Sequence, residues 1–461
     1  MKRSLFLLCY LFLGVGSIMA QTLSGTFSSL ANQTLTLEGS KGFDTYAIGS
    51  VKTDEKGRFS LSYAPEDYGI AFLSAEDKQP FVVILEKTSV RLEGQVLSEA
   101  NSIRILEGQE NRWFEQYTLD QGKREQALSA WAYLQDLYQS DPLFANQQVP
   151  NQAIGNEVIR LQQEDEQFIE ALPAESFARW FLPIRKQISS VGAIAQYRSA
   201  ALPQTIAAFR SLNYADPRFQ KSGLFRDVFE SQFWLLENSG GSLDSIYGQM
   251  EVSLNAILAS VAKNEPLYNE VTAYLIELLE RRSLTKAAEY LALTVLEQDK
   301  VALQPRLARQ LEGYRAMKVG TIVPEIQFTG DILLQGKPIP YPSRLSDVTA
   351  PYRLVIFGAS WCPACSEAMG ELIPLYEKWN KLGLEAIFVS LDTDPTAFQA
   401  YSEGMPFIAF SDYKKWDTQA VSDYFVASSP SFYLIDPSGK LLLRPQSVKQ
   451  IDAWVDWKMG K

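Results

Sequence analysis

The stretch that most limits what this chain can fold into runs from Leu354 to Lys381. The apolar run Leu354-Val355-Ile356-Phe357 leads through Gly358-Ala359-Ser360 into Trp361-Cys362-Pro363-Ala364-Cys365, and a helix-like segment, Ser366 to Lys381, leads out. A short continuous apolar run before a turn reads as a strand buried on both faces. Two cysteines three positions apart at the start of the next helix place their sulfurs on nearly the same side, about one turn apart. Backbone N–H groups and the helix dipole at that end favour a negative sulfur. Cys362 is therefore the candidate attacking thiolate, and Cys365 the candidate thiol that resolves a mixed disulfide. Pro363 suits the first helical turn, where its missing N–H costs little. Trp361 is expected to cover the edge of the site.

The rest of the cysteine and histidine inventory narrows the chemistry. The chain has 3 cysteines and no histidine. Ser/His and Cys/His catalytic pairs and histidine metal sites are thereby excluded. Met1 to Ala20 reads as a secretory signal: Lys2-Arg3 is its basic start, Leu5 to Val15 its apolar run, and Ser17-Ile18-Met19-Ala20 ends in a small residue suited to cleavage before Gln21. The apolar run is too short for an ordinary membrane span, although a retained anchor is the alternative. Cys9 lies too early in that run for a lipid-attachment site and is read as part of the signal. The mature chain then keeps only Cys362 and Cys365. A zinc site or an iron–sulfur cluster needs more Cys or His ligands than one pair supplies, so no metal and no cofactor are expected. A lone close pair in an exported chain points to redox use rather than a disulfide scaffold. With a net charge of −11 and no long basic run, nucleic acid is not an expected partner.

A length of 461 residues predicts two or three domains. Residues 21–107 alternate in short β patterns, including Thr34 to Leu37, Gly57 to Tyr63, Phe81 to Leu85 and Ser89 to Gly94, which suggest a sandwich or small barrel. Residues 108–317 are helical, with Leu267, Val271, Tyr274 and Leu278 on one apolar stripe and prolines that cut the region into many helices. Their aromatic residues, such as Trp113, Trp131, Trp180 and Trp234, read as core. Residues 318–461 alternate strand and helix. Strands are expected at Ile326 to Phe328, Ile332 to Leu334, Leu354 to Phe357, Leu384 to Leu391, Phe407 to Phe410 and Ser431 to Ile435. Asp394 is expected to cap a short helix, and a terminal helix is expected from about Ser447.

Val355 to Cys365, together with Ser429-Pro430-Ser431-Phe432-Tyr433-Leu434-Ile435-Asp436 and Gly439-Lys440, resembles the TlpA/ResA-like thiol–disulfide oxidoreductases of the thioredoxin superfamily. Leu345-Ser346-Asp347 resembles their usual lead-in. The β segment, with Asp54, Gly57-Arg58-Phe59 and Phe81 to Glu86, resembles a domain found at the N-terminus of exported Bacteroidota members. The resemblance implies a multidomain α+β chain: an N-terminal β-sandwich-like domain, an α-helical middle region and a C-terminal thioredoxin-like α/β domain. On the residues alone Pro430 is a strand-starting proline, ordinarily trans. The resemblance implies a cis Ser429–Pro430 bond facing the cysteines, with Ser429, Pro430, Trp361 and Pro363 contacting substrate. It also implies a redox disulfide between Cys362 and Cys365, disulfide-containing exported proteins as substrates, and a membrane thiol donor or thioredoxin-like partner as electron source. The location implied is the periplasm, free or associated with the outer or inner membrane.

Three departures qualify the resemblance. Relatives carry a glutamate three residues after the second cysteine, and thioredoxin itself carries a buried aspartate six residues before the first. Here those positions hold Ala368 and Ile356. Gly370 also replaces a usual proline. Glu367 and Glu371 read as ordinary exposed helix positions, with substitution for the missing carboxylate as the alternative. The expected activity is reduction or isomerisation of protein disulfides. The alternative is an exported binding or scaffold protein whose thioredoxin-like domain has little catalytic activity.

Overall fold

The computed structural model of the chain describes residues 21–460, apart from 76–78, 98, 100, 101, 299, 300 and 427. The expected signal segment and Cys9 lie outside the described residues. The described chain is mixed helix and strand and divides after Gly240 into two compact units.

In the first unit, eight strands form two four-stranded sheets. They are β1 (Gln21–Phe27), β2 (Thr34–Lys41), β3 (Asp44–Lys52), β4 (Arg58–Tyr63), β5 (Gly69–Ala75), β6 (Phe81–Leu85), β7 (Val90–Gly94) and β8 (Arg104–Glu107). The sheet orders are β4-β1-β7-β8 and β3-β2-β5-β6. Alternation decides which side chains go inward. In β4, Phe59, Leu61 and Tyr63 are buried and Arg58, Ser60 and Ser62 exposed, and they join Leu23, Leu37, Leu73 and Leu92 in one core. The sandwich expected from the sequence is therefore present. Six helices follow: α1 (Gln109–Ser140), α2 (Gln148–Glu170), α3 (Phe177–Tyr197), α4 (Leu202–Arg210), α5 (Pro217–Gln220) and α6 (Phe225–Glu237). They are tied to the strands by specific bonds. The Glu86 carboxylate accepts from the Gln109 and Glu110 N–H groups at 2.8 Å each, capping α1. Ile70 N–H donates to the Lys221 carbonyl at 2.7 Å.

The second unit opens with helices α7 (Leu243–Val261), α8 (Glu265–Arg281), α9 (Thr285–Glu297) and α10 (Pro305–Ala316). It continues with β9 (Asp331–Leu334), β10 (Lys337–Pro338), β11 (Tyr352–Gly358), α11 (Pro363–Lys381), β12 (Leu384–Ser390), α12 (Pro395–Ser402), β13 (Ile408–Ser411), α13 (Gln419–Asp423), β14 (Ser431–Ile435), β15 (Leu441–Leu443) and α14 (Val448–Met459). One seven-stranded sheet has the order β10-β9-β13-β12-β11-β14-β15. Strands β11, β12 and β13 are parallel, and β14 lies antiparallel beside β11.

Both faces of this sheet are covered, which explains why its central strands read as unbroken apolar runs. Leu354, Ile356 and Phe388 pack on one face with Leu372 and Trp379 of α11 and Ile451 and Val455 of α14. Val355, Phe357, Ile387 and Val389 pack on the other with Tyr424 and Tyr433. The expected helical middle region is thus shared between the two units rather than forming a third. The physical reason is local: α10 packs onto the sheet, where Gly313 leaves no room for a Cβ against Phe425 and the Arg444 guanidinium lies 4.7 Å from the Tyr314 ring centre and 5.6 Å from that of Tyr433. Asp394 caps α12 as expected. Ile326 to Phe328 is not a strand; Gln327 makes a single bridge to Arg344, because the prolines at 338, 340 and 342 keep a longer ladder from forming there.

Trp379 is the largest fully buried side chain of this unit, and its Nε1–H donates to Asp452 of α14 at 2.8 Å. Trp379→Ala is expected to lower stability by about 3–5 kcal/mol, measured as a fall in the urea midpoint without a change in slope.

Candidate active site

The sheet order puts the C-terminal end of β11 in the middle of the sheet, with β12 on one side and β14 on the other. The turn after β11 feeds α11, whose first residue is Pro363 and whose N-cap is Cys362. Cys362 has the extended backbone of an N-cap (φ −96°, ψ 110°), and its Sγ accepts from the Cys365 N–H at 3.2 Å. A sulfur therefore stands where serine or aspartate usually caps a helix. The Cys362 thiol also reaches the Ser429 carbonyl at 3.5 Å. The Ser429–Pro430 peptide is cis. Ser429 and Pro430 are thus brought to the cysteine pair from the start of β14, as the resemblance implied.

The two sulfurs occupy different environments. Cys362 is 6% exposed and Cys365 fully buried, and both are free thiols. Burial pushes the Cys362 thiol up, but hydrogen bonds from Cys365 and Ser429 and from the backbone N–H groups of Cys365 and Ala364 outweigh it, and the net direction is down. The Cys365 thiol is pushed up to about 12, first by burial and then by its bond to Cys362. Gly358 makes the close approach possible: a Cβ there would lie 2.8 Å from the Phe388 ring and 3.3 Å from the Cys365 Sγ.

Trp361 is 48% exposed and lies at the rim, with the Lys415 ammonium 4.9 Å from its ring centre. Pro363 is exposed beside it. Glu367 and Glu371 are exposed on the outer side of α11, so neither substitutes for a buried carboxylate. Ile356 is buried in the core against α11. The carboxylate that does stand at the site is Asp392, which the sequence reading missed. It is 1% exposed and accepts from the Ser360 N–H at 3.2 Å and from the Ser360 Oγ–H at 2.7 Å. The available signal was an aspartate closing the apolar strand Leu384 to Leu391, next to the cysteine-bearing turn in any parallel pairing of the two strands. Burial also pushes the Tyr401 phenol up to about 12, with smaller contributions from Cys365, Cys362 and Asp392. Among the described residues, no group of three or more His, Cys, Asp or Glu side chains is arranged to hold a metal ion.

Residues 351–441 match the thioredoxin-like family model. The chain is 33% identical over 101 residues to probable nucleoredoxin 3 of Oryza sativa subsp. japonica, covering 21% of each protein. It is 27% identical over 128 residues to the thiol–disulfide oxidoreductase ResA of Geobacillus kaustophilus, covering 27% of this chain and 68% of that one. Of the three nucleoredoxins matched, the chain spans 21%, 15% and 14% of the length. A solved thiol:disulfide interchange protein from Bacteroides sp. aligns at 21% identity and a TM-score of 0.28, over 32% of this chain and 93% of that one. The stretch that carries Cys362, Cys365 and Pro430 is thus a thioredoxin-like domain, with the fold of the thiol–disulfide oxidoreductases.

Proposed function

We propose that this chain is an exported thiol–disulfide oxidoreductase of the periplasm that reduces or isomerises disulfides in other exported proteins. The observation that carries the reading is the geometry of two adjacent thiols: the Cys362 sulfur caps α11 and accepts from the Cys365 N–H at 3.2 Å, while Cys365 is fully buried one turn on. The resemblance to ResA supports the reaction class. Among the described residues no helix is long and apolar enough to cross a membrane.

In the proposed reaction, the Cys362 thiolate attacks one sulfur of a substrate disulfide. A mixed disulfide forms, and the other substrate sulfur leaves as a thiolate that takes up a proton. Cys365 then loses its proton and attacks the Cys362 sulfur. The second substrate sulfur leaves, and a Cys362–Cys365 disulfide remains. Two electrons have passed to the substrate, and a membrane thiol donor or a thioredoxin-like partner returns them. The exposed Trp361 and Pro363, with Ser429 and Pro430 opposite, form the surface on which the substrate chain would lie. Because Cys365 is buried, it is reserved for resolution rather than for a second substrate.

Two outcomes follow. The thiolate is the reactive form, so a thiol held low keeps a larger reactive fraction at neutral pH. Reduced protein is expected to take up one iodoacetamide at pH 7, at Cys362, with Cys365 labelled more slowly because it is fully buried, read by peptide mass. Equal labelling of both cysteines at pH 7 would contradict the assignment. In the second experiment, reduced protein is assayed for insulin disulfide reduction. Cys362→Ser is expected to fall to the uncatalysed background, and Cys365→Ser to accumulate mixed disulfides. Wild-type turnover by Cys362→Ser would remove the reading.

A further inference from the structure

We propose that Asp392 is the positioning residue of the cysteine pair: its buried carboxylate fixes the segment leading into Cys362, and its charge makes the Cys362 thiolate less stable than the helix end alone would. The inference rests on the redox reading of Cys362 and Cys365 and adds a residue outside the two-cysteine motif.

Strand register brings Asp392 to the cysteine-bearing turn. Strands β11 and β12 run parallel with Gly358 opposite Ser390. Just beyond that pair, the Leu391 N–H donates to the Gly358 carbonyl at 2.7 Å. The two chains therefore leave the sheet side by side, and Asp392 meets Ser360. Both carboxylate oxygens lie 3.2 Å from the Ser360 N. One also accepts from the Ser360 Oγ–H at 2.7 Å and the other from the Ser390 Oγ–H at 2.6 Å. The Ser390 Oγ in turn accepts from the Asp392 N–H at 3.0 Å. Every group aimed at the carboxylate is a donor, which is the set an ionised carboxylate takes. Among the described residues no cation pairs with it, and of the acidic side chains in 241–460 only this one is buried.

Such a clamp has two consequences. It holds the Ser360 backbone, and the next peptide groups carry Cys362, whose own N–H is bonded to the Ala359 carbonyl at 3.3 Å. It also leaves a negative charge near the thiols without a cation to cancel it, and a like charge disfavours a thiolate. Cys365 and Cys362 on the cysteine turn and Asp392 at the end of β12 all act electrostatically on Tyr401 of α12, and Lys415 lies over the neighbouring Trp361 ring. A loop-capping role alone would give local stability. The proposed role also moves the titration of Cys362 and the redox equilibrium of the pair.

The test uses the full mature chain, reduced, as wild type, Asp392→Asn and Ser360→Ala. The pH dependence of Cys362 alkylation by iodoacetamide is read by peptide mass, and folding is checked by circular dichroism. Asp392→Asn removes the charge, and its alkylation midpoint is expected to move down by about 0.5–1 pH unit. Its equilibrium with glutathione is expected to move at least threefold toward the dithiol. Ser360→Ala keeps the charge and removes one donor that offsets it, so its midpoint is expected to move up. Opposite shifts carry the proposal. Unchanged midpoints, or shifts in the same direction, in folded variants overturn it. If Asp392→Asn does not fold, an unchanged or lowered midpoint in Ser360→Ala overturns it by itself. Failure of the wild-type pair to equilibrate with glutathione would count against the proposed function, while the alkylation profiles would still decide the role of Asp392.

Discussion

The hydrogen bond from the Cys365 N–H to the Cys362 sulfur, at 3.2 Å, is the contact on which the C-terminal domain's chemistry depends. It is a helix cap and, on the proposed function, part of a redox pair as well. The start of any helix leaves N–H groups without partners, and here a sulfur takes one of them. A side-chain cap is worth about 1 kcal/mol, and the dipole at the same end adds about 0.3–1 kcal/mol for a negative group. One pKa unit corresponds to about 1.4 kcal/mol. The helix end therefore favours a negative sulfur and works against the effect of burial. That balance agrees with the downward direction at the 6% exposed Cys362 and fails at the fully buried Cys365.

The rest of the fold serves to present that helix end. The parallel pairing of β11 with β12 and the antiparallel pairing with β14 bring three segments to one edge of the sheet. The first supplies the cysteines, the second Asp392 and the third the cis Ser429–Pro430 peptide. Gly358 allows the Phe388 ring and the Cys365 sulfur to approach the same point, since a Cβ would meet both. On the reading proposed here, the order of the two thiols in the reaction follows from a single helical turn: the sulfur at the cap takes the helix N–H and the next one is fully buried.

Much of this was legible in the sequence, for identifiable reasons. The cysteine spacing, the strand before it and the helix after it rest on local rules, and each element is present. The two N-terminal sheets follow from strict alternation, as in Arg58 to Tyr63. The resemblance, rather than the pattern, supplied the cis geometry at Pro430, since an isolated X-Pro bond carries no signal of its own. Asp392 was missed because its role depends on a strand register, and register is a long-range property. The carboxylates on the cysteine helix itself, Glu367 and Glu371, face solvent, as ordinary helix positions do. The partition of the helical stretch was also illegible. Helices on either side of Gly240-Gly241 carry similar apolar stripes, and which sheet each one covers is settled by contacts such as Gly313 against Phe425.

The central claim is that Cys362 and Cys365 form one reversible redox couple. The most direct measurement equilibrates the mature protein across reduced and oxidised glutathione ratios and follows the 362–365 peptide by mass. A reversible loss of two hydrogens confined to that peptide, with a single midpoint, is expected. A pair that stays as two thiols at every ratio, or that oxidises without returning, would contradict it.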